Sequence, residues 1–480
     1  MLEVTFLGHQ GWQFAAGDMR ILVDPLLVEP FGHGGGVGRV YPPRKLDIAA
    51  MPPVDAVILT HEHEDHFNIP SINRLSRGIP VYVPERSSIA LRQFLAEAGF
   101  EVFTLAAGNT LDMGDLHFTC FSPDHLRHDE LDEWETMPFL VTDVKDGGSF
   151  FTTVDVAVSA GIEAQLRQRG VTPGLWCYAN NSMNMSFQEQ PLRRPPAVLP
   201  IAARFIADHA GRPSPRLATV MCGGGFSFDG ARAWLNQLFF PLDSDKLFDG
   251  LGKVSADATF HAPMPGAQYI IDKECIRSTT DNTPWLAAAP RDQWPDRTYD
   301  PRTEPAKVLD TATGGRALEA AELQELEERL GDFASFLYGG ALFRALYSLT
   351  VTALPPPVKA TFAIGVISGE TRHVFEYDPS GCRFVRIEKP GPLSAYVAAL
   401  ECHAADLLAY LRCEIMPSAL MFGRVRRWRG GNENFTSAID QAIWLYAHPL
   451  RRPTSYLALY RSLYALEPKD TPKVRGRPAG

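Results

Sequence analysis

Short apolar runs with strand character, more than long amphipathic stretches, fill the first 160 positions of the chain. Leu2–Leu7 and Arg20–Asp24 read as strands joined through a turn at Ala16–Asp18. Val54–Thr60 (VDAVILT) is nearly continuous in apolar residues and is entered through Pro52–Pro53, the pattern of a strand buried on both faces. Helical spacing follows at Ile69–Ser76 and Ser87–Gly99, with Pro80–Val83 as the strand between them. Further strands are predicted at Leu116–Phe121, Phe139–Val144 and Ser149–Val154, the last two turned at Asp146–Gly148. Strands first, then β-helix-β alternation, predict an α/β chain built as a layered αββα sandwich.

The pattern continues with a helix near Ile162–Gly170, a polar stretch at Asn180–Gln190 and a helical section at Pro196–Gly211. Strands are predicted at Arg216–Met221 and Gln268–Ile271. Residues 273–315 are dense in Pro, Asp, Thr and Arg and show no period, which marks them as a linker. Beyond it, Ala317–Leu349 predicts two helices broken at Gly339–Gly340. Lys359–Ile367, His373–Tyr377 and Arg383–Ile387 predict a meander with a hairpin turn at Asp378–Gly381. Helices are expected at Leu393–Arg412 and Asn432–Ala447. The expected organisation is a catalytic domain over 1–272, a linker over 273–315, a smaller α+β domain over 316–466 and a disordered tail over 467–480.

Composition narrows the function classes. Of 480 residues, 45% are hydrophobic and 21% charged, ordinary globular values. The 46 Lys+Arg and 56 Asp+Glu give a net charge of −10, which disfavours a sequence-independent nucleic-acid binder. No apolar run approaches the ~20 residues of a spanning helix. The amino terminus lacks the basic and apolar regions of a secretory signal, so a cytoplasmic protein without a membrane partner is expected. The seven cysteines (120, 177, 222, 275, 382, 402, 413) are scattered without a C-x-x-C pair and read as reduced thiols. The same scatter offers no C-x-H and C-x-x-H set for a Rieske iron–sulfur module.

The chemistry concentrates at Thr60–His61–Glu62–His63–Glu64–Asp65–His66. Three imidazoles and Asp65 lie within six residues, directly after a buried strand. Zinc and iron take neutral imidazole and carboxylate oxygen, and a strand-to-loop junction can aim alternate side chains at one point.

H-x-H-x-D-H after a strand resembles the metallo-β-lactamase superfamily, whose sandwich holds two metals at one edge. Leu7–Gly8–His9 followed by Ile21–Leu22–Val23–Asp24–Pro25 is similar to the opening hairpin of its lactonase-like and hydroxylase-like members. Ser122–Pro123–Asp124–His125 stands where a third histidine falls, and Thr153–Val154–Asp155 where a bridging aspartate ends a strand. The resemblance implies one metal on His61, His63 and His125, the other on Asp65 and His66, with Asp155 bridging. Asp65 would also act in catalysis, orienting a hydroxide or passing a proton. The chain departs from the pattern where a last histidine is expected: Thr219–Val–Met–Cys–Gly–Gly–Gly–Phe226 contains none. Either His261 substitutes, or the second site is open or weak; His9, Asp24 and His128 are the other substitute or supporting candidates. Pro215–Arg216, the following glycines, Pro263–Met–Pro–Gly–Ala267 and Glu401–Arg427 add similarity to the CMP-N-acetylneuraminate hydroxylase family without its Rieske domain.

Three other features carry weaker signals. Phe31–Gly–His–Gly–Gly–Gly–Val–Gly38 does not match a phosphate-binding spacing and reads as a mobile loop beside the metals. Arg424, Arg426 and Arg427, beside Trp428, read as a solvated face or domain contact, or as a clamp for a phosphate or nucleotide. Asp129–Glu135 reads as an exposed acidic loop.

The resemblance implies two divalent ions, iron or zinc, and a small-molecule substrate. With iron, the expected activity is that of an oxygen-activating di-iron hydroxylase drawing electrons from a separate ferredoxin or Rieske partner. With zinc, the alternative is hydrolysis of a lactone, ester or phosphodiester.

Overall fold

Alternation along the central strands divides the protein into layers. Ile21, Val23, Ala56 and Ile58 belong to one apolar core together with Phe118, Phe139, Val141 and Phe150 from a second sheet. Their neighbours Leu22, Val57 and Leu59 belong to another, with Ala90, Leu91, Phe94 and Leu95 of a helix. Phe151 and Trp176 face the opposite outer side, against Ile162 and Leu166. Helix, sheet, sheet and helix therefore stack in that order, which is the expected αββα sandwich.

This computed structural model describes residues 1–33, 36–123, 135–156, 160–178, 188, 218–221, 225–240, 259–279, 283–300, 302–352, 359–430 and 433–466. The helical section expected at 196–211, the tail from 467, His125 and His128 lie outside the described residues.

The first sheet has eight strands in the order Ile276–Thr279, Gln268–Ile271, Leu2–Gly8, Gly11–Ala16, Met19–Val23, Ala56–Ile58, Val81–Pro84 and Val102–Leu105. Its first five strands pair antiparallel, and from Met19–Val23 onward the pairing is parallel. The second sheet runs Thr259–His261, Ala218–Met221, Leu175–Tyr178, Ser149–Thr152, Phe139–Asp143, Leu116–Cys120 and Thr110–Met113. It switches in the same way at Ser149–Thr152, parallel to one side and antiparallel to the other. Side chains leaving the carboxyl ends of strands beside such a switch share a crevice, a place where open α/β sheets put their sites.

Two expectations need correction. Gly11–Ala16 is a strand between the two that were expected to be joined directly; it is buried at every position, so no alternation marks it. Tyr396–His403 is a strand where a helix was expected. It is the fourth strand of a five-stranded sheet, ordered Arg383–Arg386, Thr371–Asp378, Lys359–Ser368, Tyr396–His403 and Arg426–Arg429. A short apolar run buried on both faces has no period that separates strand from helix. The stretch 273–315 also contributes Ile276–Thr279 and Leu286–Ala288, both paired with earlier strands.

The helix Pro453–Leu466 closes the outer layer over Ile89–Glu97. Tyr460 is buried against Phe67 and Phe94 at ring separations of 5.3 and 5.7 Å. Arg461 pairs with Glu97 at 2.5 Å across the exposed rim. Leu91 and Phe94 share one continuous apolar cluster with Tyr456, Tyr460, Leu408 and Phe362. The layer behind the first sheet and the carboxy-terminal elements are thus one core.

Cys120, Cys275, Cys382, Cys402 and Cys413 are free, as expected, but Cys177 is disulfide-bonded. That corrects the reading of it as a reduced thiol, for which scattered positions give no spacing signal. Among the described residues no helix is long and apolar enough to cross a membrane.

Candidate metal centre

Four chain segments meet where both sheets switch. Asp24 follows Met19–Val23, Thr60–His66 follow Ala56–Ile58, Asp155 follows Ser149–Thr152, and His9 sits in the turn after Leu2–Gly8. After His61 the chain folds back, with the His63 carbonyl accepting from the amides of His66 (2.9 Å) and Phe67 (2.7 Å). The turn carries His66 back beside His61, ring centroids 4.0 Å apart.

Asp24 organises the junction. It accepts the Thr60 amide at Oδ1 (2.7 Å) and the Thr60 hydroxyl at Oδ2 (2.5 Å). Oδ2 also lies 2.8 Å from His66 Nδ1. A carboxylate only accepts, so Nδ1 carries the proton and Nε2 presents its lone pair to the site. His66 Nε2 is buried without a hydrogen bond, yet it lies 2.9 Å from Asp155 Oδ2. Asp155 Oδ2 is also 3.5 Å from His61 Nε2. His61 Nε2 is 3.0 Å from His63 Nδ1, and His9 Nε2 is 2.9 Å from Asp65 Oδ2.

Two ligand atoms each ~2.0–2.2 Å from one cation lie about 3–3.5 Å apart, which is the spacing seen here. Two groups of ligand atoms fall within 4.8 Å: His61 with His66 and Asp155, and His9 with Asp65 and His66. His66 Nε2, buried at the junction of both groups and 2.9 Å from Asp155 Oδ2, is the atom whose proton a cation would replace.

The charges follow from the packing. Burial, reinforced by His66 and His63, holds His61 well below its usual range, in the neutral form that ligates. Burial opposes charge on His66, but Asp155, Asp65 and Asp24 outweigh it and hold it well above the usual value. Asp65 and Asp155 are both pushed down; in each, burial is overcome first by His66.

The intervening glutamates turn away from the site. Glu62 accepts from the Ser88 amide and hydroxyl at the start of Ile89–Glu97, and the Tyr460 hydroxyl lies 3.4 Å from it. Burial, with Glu135 nearby, pushes Glu62 up to about 7. Glu64 accepts the His33 amide at 2.7 Å, and burial pushes it up to about 8. Sequence reasoning missed both roles. The signal was available, because alternation at a strand exit sends Glu62 and Glu64 opposite to His61 and His63. It also missed Gln10, whose amide reaches Asp155 Oδ1 at 3.5 Å, and Trp444, whose ring lies 6.1 Å from His63.

Other expected residues lie elsewhere. His261 is on the edge strand of the second sheet, packed on Tyr269 at 5.5 Å and outside both ligand groups. Three strand spacings, about 14 Å, separate its strand from Ser149–Thr152. The arginines read as a solvated face or domain contact, or else as an anion clamp, are matched within the chain: Arg424 by Asp310 (2.9 Å), Arg426 by Glu401 (3.1 Å) and Arg427 by Asp440 (3.1 Å). Within 31–38 the described residues form a tied hairpin rather than a loose loop. Phe31 donates to the Gly38 carbonyl at 2.7 Å, and a Cβ on Gly38 would stand 2.5 Å from the Ser227 carbonyl oxygen. Glu135, expected on an exposed loop, is buried with His448 3.4 Å away.

Parts of the chain match known proteins. Residues 19–172 match the model of the beta-lactamase superfamily domain. Over 87 residues, 17% of this chain, the sequence is 34% identical to an uncharacterized protein of Mycobacterium tuberculosis, covering 23% of that protein. Over 89 residues, 18% of this chain, it is 30% identical to the cytidine monophosphate-N-acetylneuraminic acid hydroxylase of Danio rerio, covering 15% of it. The chain thus matches less than a quarter of the length of either relative. Among solved structures, the isothiocyanate hydrolase from Delia radicum gut bacteria aligns with TM-score 0.40 at 14% identity, over 56% of this chain and 99% of the other. The diiron β-hydroxylase CmlA of Streptomyces venezuelae aligns with TM-score 0.37 at 16% identity, over 58% and 54%. Asp24, the 61–66 cluster and Asp155 all fall within residues 19–172, the segment of this αββα sandwich that matches the beta-lactamase superfamily domain.

Proposed function

We propose that the chain is a binuclear metal-dependent enzyme acting on a small molecule, and that its chemistry is oxygen-activating hydroxylation. His61, His63 and Asp155, with His125, would hold one cation; Asp65 and His66 would hold the other, with Asp155 serving both. One observation carries the reading. With His66 counted once, on the second cation, the described donors for the first are His61, His63 and Asp155, two imidazoles and one carboxylate, the donor set of non-haem iron oxygenases. Similarity to proteins named as hydroxylases supports it.

An iron pair would supply dioxygen activation, taking electrons from a separate ferredoxin- or Rieske-type donor. The chain's own residues do the rest. Asp24 fixes the His66 tautomer, and neutral His61 presents a lone pair. Asp65, with its side chain 21% exposed, is the most accessible carboxylate of the group, and its Oδ2 lies 2.9 Å from His9 Nε2. Phe31 and Phe226, with ring centroids 6.1 and 5.6 Å from that of His9, exclude water from that flank.

A second reading, zinc-dependent hydrolysis of a lactone, ester or phosphodiester, rests on the same donors, since two histidines and a carboxylate also hold catalytic zinc. Metal analysis separates the two. The chain purified without oxygen should contain two irons and show an optical band that bleaches on reduction. Two zincs with turnover of generic esters or phosphodiesters would overturn the hydroxylase reading.

A further inference from the structure

We infer that His9 is a ligand of the second cation, beside Asp65 and His66, and that Gly225 is the residue that admits it. The inference rests on the binuclear reading above.

His9 comes from the turn between the first two strands, far in sequence from the 61–66 cluster, yet its Nε2 lies 2.9 Å from Asp65 Oδ2. Its backbone is held in the left-handed region, φ +53°, an uncommon conformation that His, Asn and Asp adopt more readily than other side chains. Such strain persists where the surroundings over-determine it, as at ligand clamps. Those surroundings are visible. The ring packs on Phe31 and Phe226 and meets the edge of His66 at 5.5 Å. It is 1% exposed, and Nδ1 has no hydrogen-bond partner among the described residues. In the cation-free chain the Asp65 carboxylate holds a proton at Nε2, and no group of the described chain competes for Nδ1, which is therefore open to carry the ring proton once a cation takes Nε2.

Gly225 provides the independent observation. A Cβ there would stand 2.6 Å from His9 Cα and 3.0 Å from its amide nitrogen, closer than real side chains approach backbone. Gly225 is the last glycine of the 219–226 stretch, which contains no histidine. A side chain at 225 would displace the turn that carries His9. The two features are complementary: the second sheet's side of the cleft gives up a side chain, and the first sheet's turn moves in with an imidazole.

Cobalt(II) titration of the full chain, read by bound ions per protomer, visible absorption and chelator competition, tests this. The wild type should take two ions. His9→Asn, which keeps a residue tolerant of the left-handed backbone but too short to reach, should retain one ion with unchanged affinity. Its second ion should bind more than ~100-fold more weakly, beyond the ~10–100-fold cost of losing a partner that only orients a ligand. Gly225→Ala, with His9 intact, should lose the same ion by displacement, and circular dichroism should confirm that both variants fold. Two ions bound to His9→Asn with wild-type affinities would overturn the inference while leaving the binuclear reading intact. A wild-type chain that binds no cation would overturn both.

Discussion

The carboxylate of Asp24 lies 2.8 Å from His66 Nδ1, across the ring from Asp155, which is 2.9 Å from Nε2. One imidazole thus bridges a carboxylate that fixes its proton and a carboxylate that faces the site. Asp24→Asn can offer its amide hydrogens to Nδ1 and favour the wrong tautomer. The expected outcome is a ~10–100-fold loss of metal affinity by chelator competition, with the fold retained. Unchanged affinity would remove the orienting role.

His63→Ala and Asp155→Ala should each lose at least one ion per chain by elemental analysis. Loss of His125 should do the same, whereas His128→Ala should keep both ions. Full metal content in His63→Ala and Asp155→Ala would refute the ligand assignment.

Arg44 is a buried support for the same edge. Its guanidinium pairs with Glu29 at 3.0 Å, donates to the Leu26 carbonyl at 2.6 Å and also donates to the Leu7 carbonyl. It therefore ties together the chain just before His9 and just after Asp24. Arg44→Met leaves Glu29 and two carbonyls without their donor, and should cost about 3–5 kcal/mol in denaturant unfolding. A cost below about 1 kcal/mol would show that those groups find other partners.

The metal-free chain should lose stability as pH rises from about 5 to 8. Glu62 and Glu64 are raised from 4.5 to about 7 and about 8, chiefly by burial. In that window the folded state keeps protons that the unfolded state releases, so their contribution is full below about pH 4.5 and is lost as pH climbs through the folded values. Glu64→Gln should flatten the dependence of the thermal midpoint on pH, and an unaltered slope would count against this origin.

The candidate ligand cluster stands out in sequence because H-x-H-x-D-H after a buried strand encodes both residue types and direction. Asp155 was legible only by its place in the series, since a strand-end aspartate is otherwise unremarked. What escaped was whatever depends on packing rather than period. Gly11–Ala16 and Tyr396–His403 are buried on both faces and show no alternation. The partners of Arg424, Arg426 and Arg427 are Asp310, Glu401 and Asp440, and two of these three pairings span more than twenty residues. The glycines near Phe31 and at 225 look like flexibility in sequence, whereas in space they mark where backbones touch.

Tyr460 and Glu62 are separated by 398 positions in the chain. During synthesis from the amino end, the histidine-bearing loop leaves the ribosome long before the helix that seals its rear. Until that helix docks, Phe67 and Phe94 lack the Tyr460 ring on their outer side, and Glu62 lacks the Tyr460 hydroxyl. The rear of the 61–66 loop is therefore completed by a contact that the chain can make only after it has folded back across almost four hundred positions.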